Sequence, residues 1–156
     1  MNRTKKVLIT VGALLVLLQF FQPEGNKNPH VSENDISVMY QMPESVKSIL
    51  QSSCYDCHSN NTNYPWYSFI QPMSWWLAHH IKEGKAELNL SEFGEYSPRR
   101  QQSKLKAIAE SVEDDDMPLS SYTLIHTDAE LSPAEKKQLL HWVAETKDHL
   151  SQINKK

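Results

Sequence analysis

The chain has only two cysteines, Cys54 and Cys57, and His58 follows at once, so the segment reads Cys54-Tyr55-Asp56-Cys57-His58. Two thiols three positions apart can each add to one vinyl group of the same porphyrin, and the next residue then lies beneath the iron. Cys-x-x-Cys-His is the attachment motif of c-type haem. On this reading Cys54 and Cys57 form thioether bonds to a single covalent haem c, and the imidazole of His58 is the proximal iron ligand.

Three other chemistries use the same residue types. A structural zinc site needs four protein ligands; with no second cysteine pair, zinc would have to recruit histidines such as His79 or His80. A thioredoxin-like dithiol calls for a strand, helix, strand setting, and no β-rich segment flanks Cys54 or Cys57. A plain disulfide would not call for the histidine.

A low-spin electron carrier needs a second axial ligand from a segment that folds over the far face of the haem. Met117, in Asp116-Met117-Pro118-Leu119, leads. It follows a helical stretch in a segment that cannot be helical through Pro118, and its soft sulfur is a weak ligand that the fold must position; His/Met ligation raises the reduction potential relative to two histidines. The other use of Met117 is as a core gap-filler, which three adjacent acids, Asp114 to Asp116, make less natural. His80, or its neighbour His79, is the nitrogen alternative, with one of the pair facing inward; Met73 is a weaker methionine. Met39 and Met42 read as contacts of the tether or first turn, His126, His141 and His149 as surface or packing residues, and His30 as part of a tether.

The run Tyr64-Pro65-Trp66-Tyr67 is dense in rings with polar tips. Such residues pack on a porphyrin edge and reach a propionate, or serve as ordinary core. Arg99 and Arg100 offer propionate partners or a solvated helix face.

These residues need a scaffold and a compartment. Arg3, Lys5 and Lys6 precede an uncharged, largely apolar run from Val7 to Phe21, a pattern of an export signal that is short for a full membrane span. The bulky Gln19-Phe20-Phe21-Gln22 does not suit signal peptidase, so residues 1–23 read as an uncleaved anchor helix. Its leading cations place the amino terminus in the cytoplasm. The haem domain then lies in the periplasm or cell exterior, where c-type attachment takes place.

Residues 24–34, rich in Pro, Gly, Asn and charge, read as a flexible tether, and residues 35–156 as one haem-binding domain. The formal charge is −3, and the three leading cations leave the remainder more acidic still; such a surface excludes nucleic acid as the natural partner. With little β-branched alternation the domain reads as all-α. A first helix runs from Pro43 into Cys54, a second from Pro72 until Gly84 stops it, and a third is capped by Ser97 with Pro98 in its first turn. The last opens on the capping box Ser132-Pro133-Ala134-Glu135 and carries an apolar stripe of Leu139, Trp142, Val143 and Leu150.

Taken in order, Cys54 to Ser59, Tyr64 to Tyr67, Pro72 to Trp76 with His80 and Gly84, Leu88-Asn89-Leu90-Ser91, Met117-Pro118-Leu119 with Tyr122, and Leu131-Ser132-Pro133 resemble the haem-binding domain family of exported, membrane-tethered c-type haem proteins. The resemblance covers nearly all of the chain beyond the apolar run. It implies one covalent haem in a cytochrome c-like helical shell, and no particular reaction. The segment from Pro72 to Gly94 is longer than in the smallest monohaem cytochromes, which leaves the helix arrangement open.

The function expected is one-electron transfer at the outer face of the cytoplasmic membrane, between a membrane oxidoreductase and a soluble or membrane-bound redox partner. The alternative is a peroxidase or gas-sensing domain with an open sixth iron position. There His80 would act as distal base, with Arg99 or Arg100 beside it.

Overall fold

Local signals set the starts of α-helices at Pro98 and Pro133. In the computed structural model, which describes residues 2–153, Ser97 Oγ accepts from Arg100 N. Ser132 and Glu135 close their box reciprocally, Ser132 N donating to Glu135 Oε2 at 2.8 Å and Glu135 N to Ser132 Oγ at 3.3 Å. These bonds satisfy amides that a helix start leaves without partners.

The α-helices are α1 (Arg3–Leu18), α2 (Ile36–Met39), α3 (Glu44–Ser53), α4 (Tyr55–His58), α5 (Met73–Glu87), α6 (Pro98–Glu113), α7 (Ser120–Thr123) and α8 (Pro133–Ile153). Short 3₁₀ turns lie at Trp66–Phe69, Leu90–Glu95 and Thr127–Ala129. The described residues contain no strand, as the all-α reading requires; one isolated bridge joins Lys27 to Asn61.

The core is a three-helix contact in which α8 packs on both α6 and α3. Leu139, Trp142, Val143 and Leu150 of α8 meet Leu105 and Val112 of α6 and Val46, Ile49 and Leu50 of α3, all buried. Each such side chain contributes about 1.5–3 kcal/mol by leaving water. A smaller cluster of Tyr67, Leu77 and Ile81 fixes the aromatic loop on α5. The short turn α4, which carries Cys57 and His58, is wedged between α3 and α5.

Three expectations are corrected. The anchor helix at the amino terminus spans only 16 residues, and no described helix is long and apolar enough to cross a membrane. At 1.5 Å per residue the stretch is about 24 Å, short of the roughly 30 Å of a bilayer's hydrocarbon. The segment 24–34 is not a free tether. Asn26 Nδ2 donates to Ser59 O and Thr62 Oγ1, Lys85 Nζ donates to Asn26 Oδ1, and Asn28 N donates to Asn60 O. Its composition suits a surface chain, and its amides have found fixed partners. Finally, α5 does not stop at Gly84 but continues to Glu87.

Candidate functional site

Helix α3 ends at Ser53 because Cys54 leaves helical geometry (φ −127°, ψ −41°), and α4 begins at once. The amides of Cys57 and His58 both donate to Cys54 O, at 3.2 and 2.9 Å. The two cysteines therefore stand at the start and within the one turn of α4, His58 directly after the second.

His58 Nδ1 lies 3.0 Å from the carbonyl oxygen of Leu88. A carbonyl only accepts, so Nδ1 carries the proton, and Nε2 keeps its lone pair for a metal. The carbonyl is presented there because α5 ends at Glu87 and Leu88 turns extended (φ −146°, ψ 119°). The next residue pins that turn: Asn89 N donates to Tyr96 Oη at 2.9 Å and Asn89 Nδ2 to Asn60 Oδ1 at 2.9 Å.

Gly84 supplies the approach between the two helices. A Cβ built there would sit 2.8 Å from Cys57 O, a backbone atom that cannot swing aside. Glycine is at this position for contact with α4 rather than for a helix stop.

Two adjoining cavities flank the turn. One, of about 320 Å³, is bordered by Cys57, His58, His80, Gly84, Met117 and Tyr122, among others. Its neighbour, of about 270 Å³, is apolar and bordered by Cys54, His58, Leu90, Ile108, Val112 and Met117. His58 and Met117 border both. Together they fall in the range of cofactor pockets, roughly 300–1,000 Å³.

Met117 is delivered by the end of α6. The chain reverses at Asp115, whose φ of 59° is left-handed, and the amides of Asp116 and Met117 then both donate to Ser111 O, at 2.9 and 3.1 Å. This satisfies an otherwise free helix carbonyl and carries Met117, half-buried, to the cavity edge. On α5, His80 borders the larger cavity with Trp76 edge-on to its ring (4.4 Å, 85°), while His79 faces solvent beside Glu83.

A family model described as a haem-binding domain matches residues 13–145 of the chain. This chain belongs to the haem-binding domain family. No curated protein and no solved structure matches it.

The residues present fit the haem that the family binds. Two thiols and an imidazole with a free Nε2 converge on a largely apolar space of cofactor size. Neither thiol is in a disulfide. Burial pushes Cys54 up to about 12, with the neighbouring Cys57 adding to the effect, and burial and then Asp56 push Cys57 up to about 11. A redox-active dithiol has the opposite tendency, a lowered thiol value. No three His, Cys, Asp or Glu side chains converge as a metal site among the described residues, so the zinc reading lacks its ligands.

The haem-binding domain places other expected residues elsewhere. Tyr64, Trp66, Tyr67, Met73, Arg99 and Arg100 border neither cavity. Arg100 lies on the ring of Tyr96 at 4.6 Å, Tyr64 Oη accepts from Asn26 N, and Tyr67 Oη is 2.6 Å from His126 Nε2. His126 is therefore a packing residue, half-buried behind Tyr122 and bordering neither cavity. It stacks on Tyr122 (4.3 Å, 15°), whose hydroxyl donates to Asp56 Oδ2 at 2.7 Å. Burial, then the Asp56 carboxylate, raise the Tyr122 phenol well above its usual range, so it stays a donor. Asp56, between the cysteines, also accepts from Asn63 N at 2.8 Å. Sequence reasoning missed Asp56, and no side-chain signal could have marked the carbonyl of Leu88.

Proposed function

We propose that the chain carries one haem c bound through Cys54 and Cys57, with His58 as proximal ligand, and passes single electrons at the outer face of the cytoplasmic membrane. The observation that carries this is the Nδ1–Leu88 bond, which holds the free Nε2 of His58 beside two thiols that open on adjoining cavities. When bound, haem supplies the one-electron chemistry. The protein's part is to orient His58, to exclude water with Leu50, Leu90, Ile108 and Val112, and to offer a second ligand. Met117 is that ligand in this reading because it borders both cavities; His80 borders one.

The exposed apolar residues of α1 support a membrane location, and thioether attachment supports an exported one. Partners are then a membrane oxidoreductase and a soluble redox protein. The peroxidase alternative is less favoured because Arg99 and Arg100 stand away from both cavities.

Protein produced in cells with haem c maturation tests this directly. The expected result is an intact mass raised by one haem that survives denaturation, with a reversible, low-spin one-electron couple. A colourless polypeptide of bare mass overturns it, and carbon monoxide binding by the untreated ferrous protein would favour the sensing or peroxidase alternative.

A further inference from the structure

The face of the domain next to the end of α1 is apolar, aromatic and uncovered. Trp66 is 77% exposed, Phe69 64%, Ile70 46%, Met73 36%, Trp75 41% and Trp76 38%. From Tyr64 to Ala78 the chain carries no charged residue. Soluble proteins seldom leave such a contiguous patch bare, and patches of this kind mark interaction sites.

This patch is joined by a set of polar bonds to the residues that directly follow α1. Gln71 N donates to Gln19 Oε1 at 3.0 Å, Gln71 Nε2 and Trp75 Nε1 donate to Phe21 O at 2.7 and 2.9 Å, and Ser74 Oγ donates to Gln22 Oε1 at 2.9 Å. Gln71 is buried, so the junction is built into the fold. Phe20 and Phe21, 78% and 66% exposed, extend the apolar surface from the helix to the patch.

The helix indicates what covers this surface. No residue of α1 is buried, and Val7, Leu8, Ile9, Val11, Leu14 and Leu15 are exposed around its circumference. A helix apolar on every side, and not along one stripe, suits an all-round apolar medium rather than a groove on one partner. Tryptophans with an apolar body and a polar tip concentrate at the membrane–water boundary.

We propose that Trp66, Phe69, Ile70, Met73, Trp75 and Trp76, with Phe20 and Phe21, form a lipid-interface surface that seats the haem domain on the bilayer beside α1. This rests on the membrane location proposed above and adds a fixed orientation to it. The junction through Gln71 and Trp75 ties the chain at the end of α1 to the patch, which orients the haem cavities relative to the membrane. The patch also adds apolar contact that the short α1 lacks alone.

The test is hydrogen exchange on the full haem-loaded chain, with and without phosphatidylcholine vesicles. The expected result is vesicle-dependent protection of both residues 3–21 and residues 64–76. Trp66→Ser with Phe69→Ser, both at exposed positions, should then weaken vesicle co-sedimentation about tenfold or more, with the haem spectrum unchanged. Protection of 3–21 alone, with unaltered sedimentation of the double variant, overturns the seating and leaves the membrane location standing. Protection of neither segment overturns both. Protection of 64–76 without vesicles, rising with protein concentration alongside a dimer mass, assigns the patch to a second copy and overturns the lipid reading.

Discussion

His58 Nδ1 and the carbonyl oxygen of Leu88 are 3.0 Å apart, so the loop that leaves α5 fixes the ring that α4 carries. The bond sets tautomer and ring direction together. In haem-loaded protein, His58→Ala should retain the haem mass through Cys54 and Cys57 and lose the low-spin absorption spectrum. An unaltered spectrum would remove His58 from the iron.

Met117 and His80 both reach the larger cavity, and only Met117 reaches both. Met117→Ala should convert the ferrous haem to a high-spin, carbon monoxide-binding form, and His80→Ala should leave the low-spin spectrum intact. The reverse pair of outcomes would assign the distal position to His80.

The contact of Gly84 with Cys57 O leaves no room for a methyl group. Gly84→Ala should destabilise the fold by about 1–3 kcal/mol through overpacking, although alanine is the better helix former. Urea denaturation decides between these opposing effects, and a stabilised variant would refute the close approach.

Ionisation of the thiols is suppressed by burial. Relative to a thiol at 9, Cys57 at about 11 holds on the order of a hundredfold less thiolate at pH 8. Haem-free protein should therefore react with iodoacetamide far more slowly folded than in urea. Equal rates would mean that the turn is open.

The capping box of α8 carries a pH signature. Hydrogen bonds from the Ser132 side chain and backbone hold Glu135 below the ordinary 4.5. Its contribution is thus complete above 4.5 and fades as pH falls below that value through the lowered one. Ser132→Ala should cost about 1 kcal/mol at neutral pH. Glu135→Gln should flatten the acid side of the stability profile, as followed by thermal denaturation.

What could be read in the sequence was local. Ser97-Pro98 and Ser132-Pro133 start helices by chemistry contained within one turn, and the apolar stripe of α8 is a periodicity of its own residues. Gly84 misleads because its purpose lies in another helix. Residues 24–34 mislead because composition cannot reveal that Asn26 meets Ser59, Thr62 and Lys85. The cysteine motif marks the candidate site, but the partner of its histidine is a backbone oxygen 30 positions later, which any residue could provide.

The bonds of Asn26 also bear on where the smallest autonomous folding unit begins. A fragment started at residue 35 would strip partners from Lys85, Tyr64 and the loop after His58 at once. The stretch joining α1 to the helical body thus works as an internal brace for the turn that carries Cys57 and His58, and trimming it away would loosen that turn.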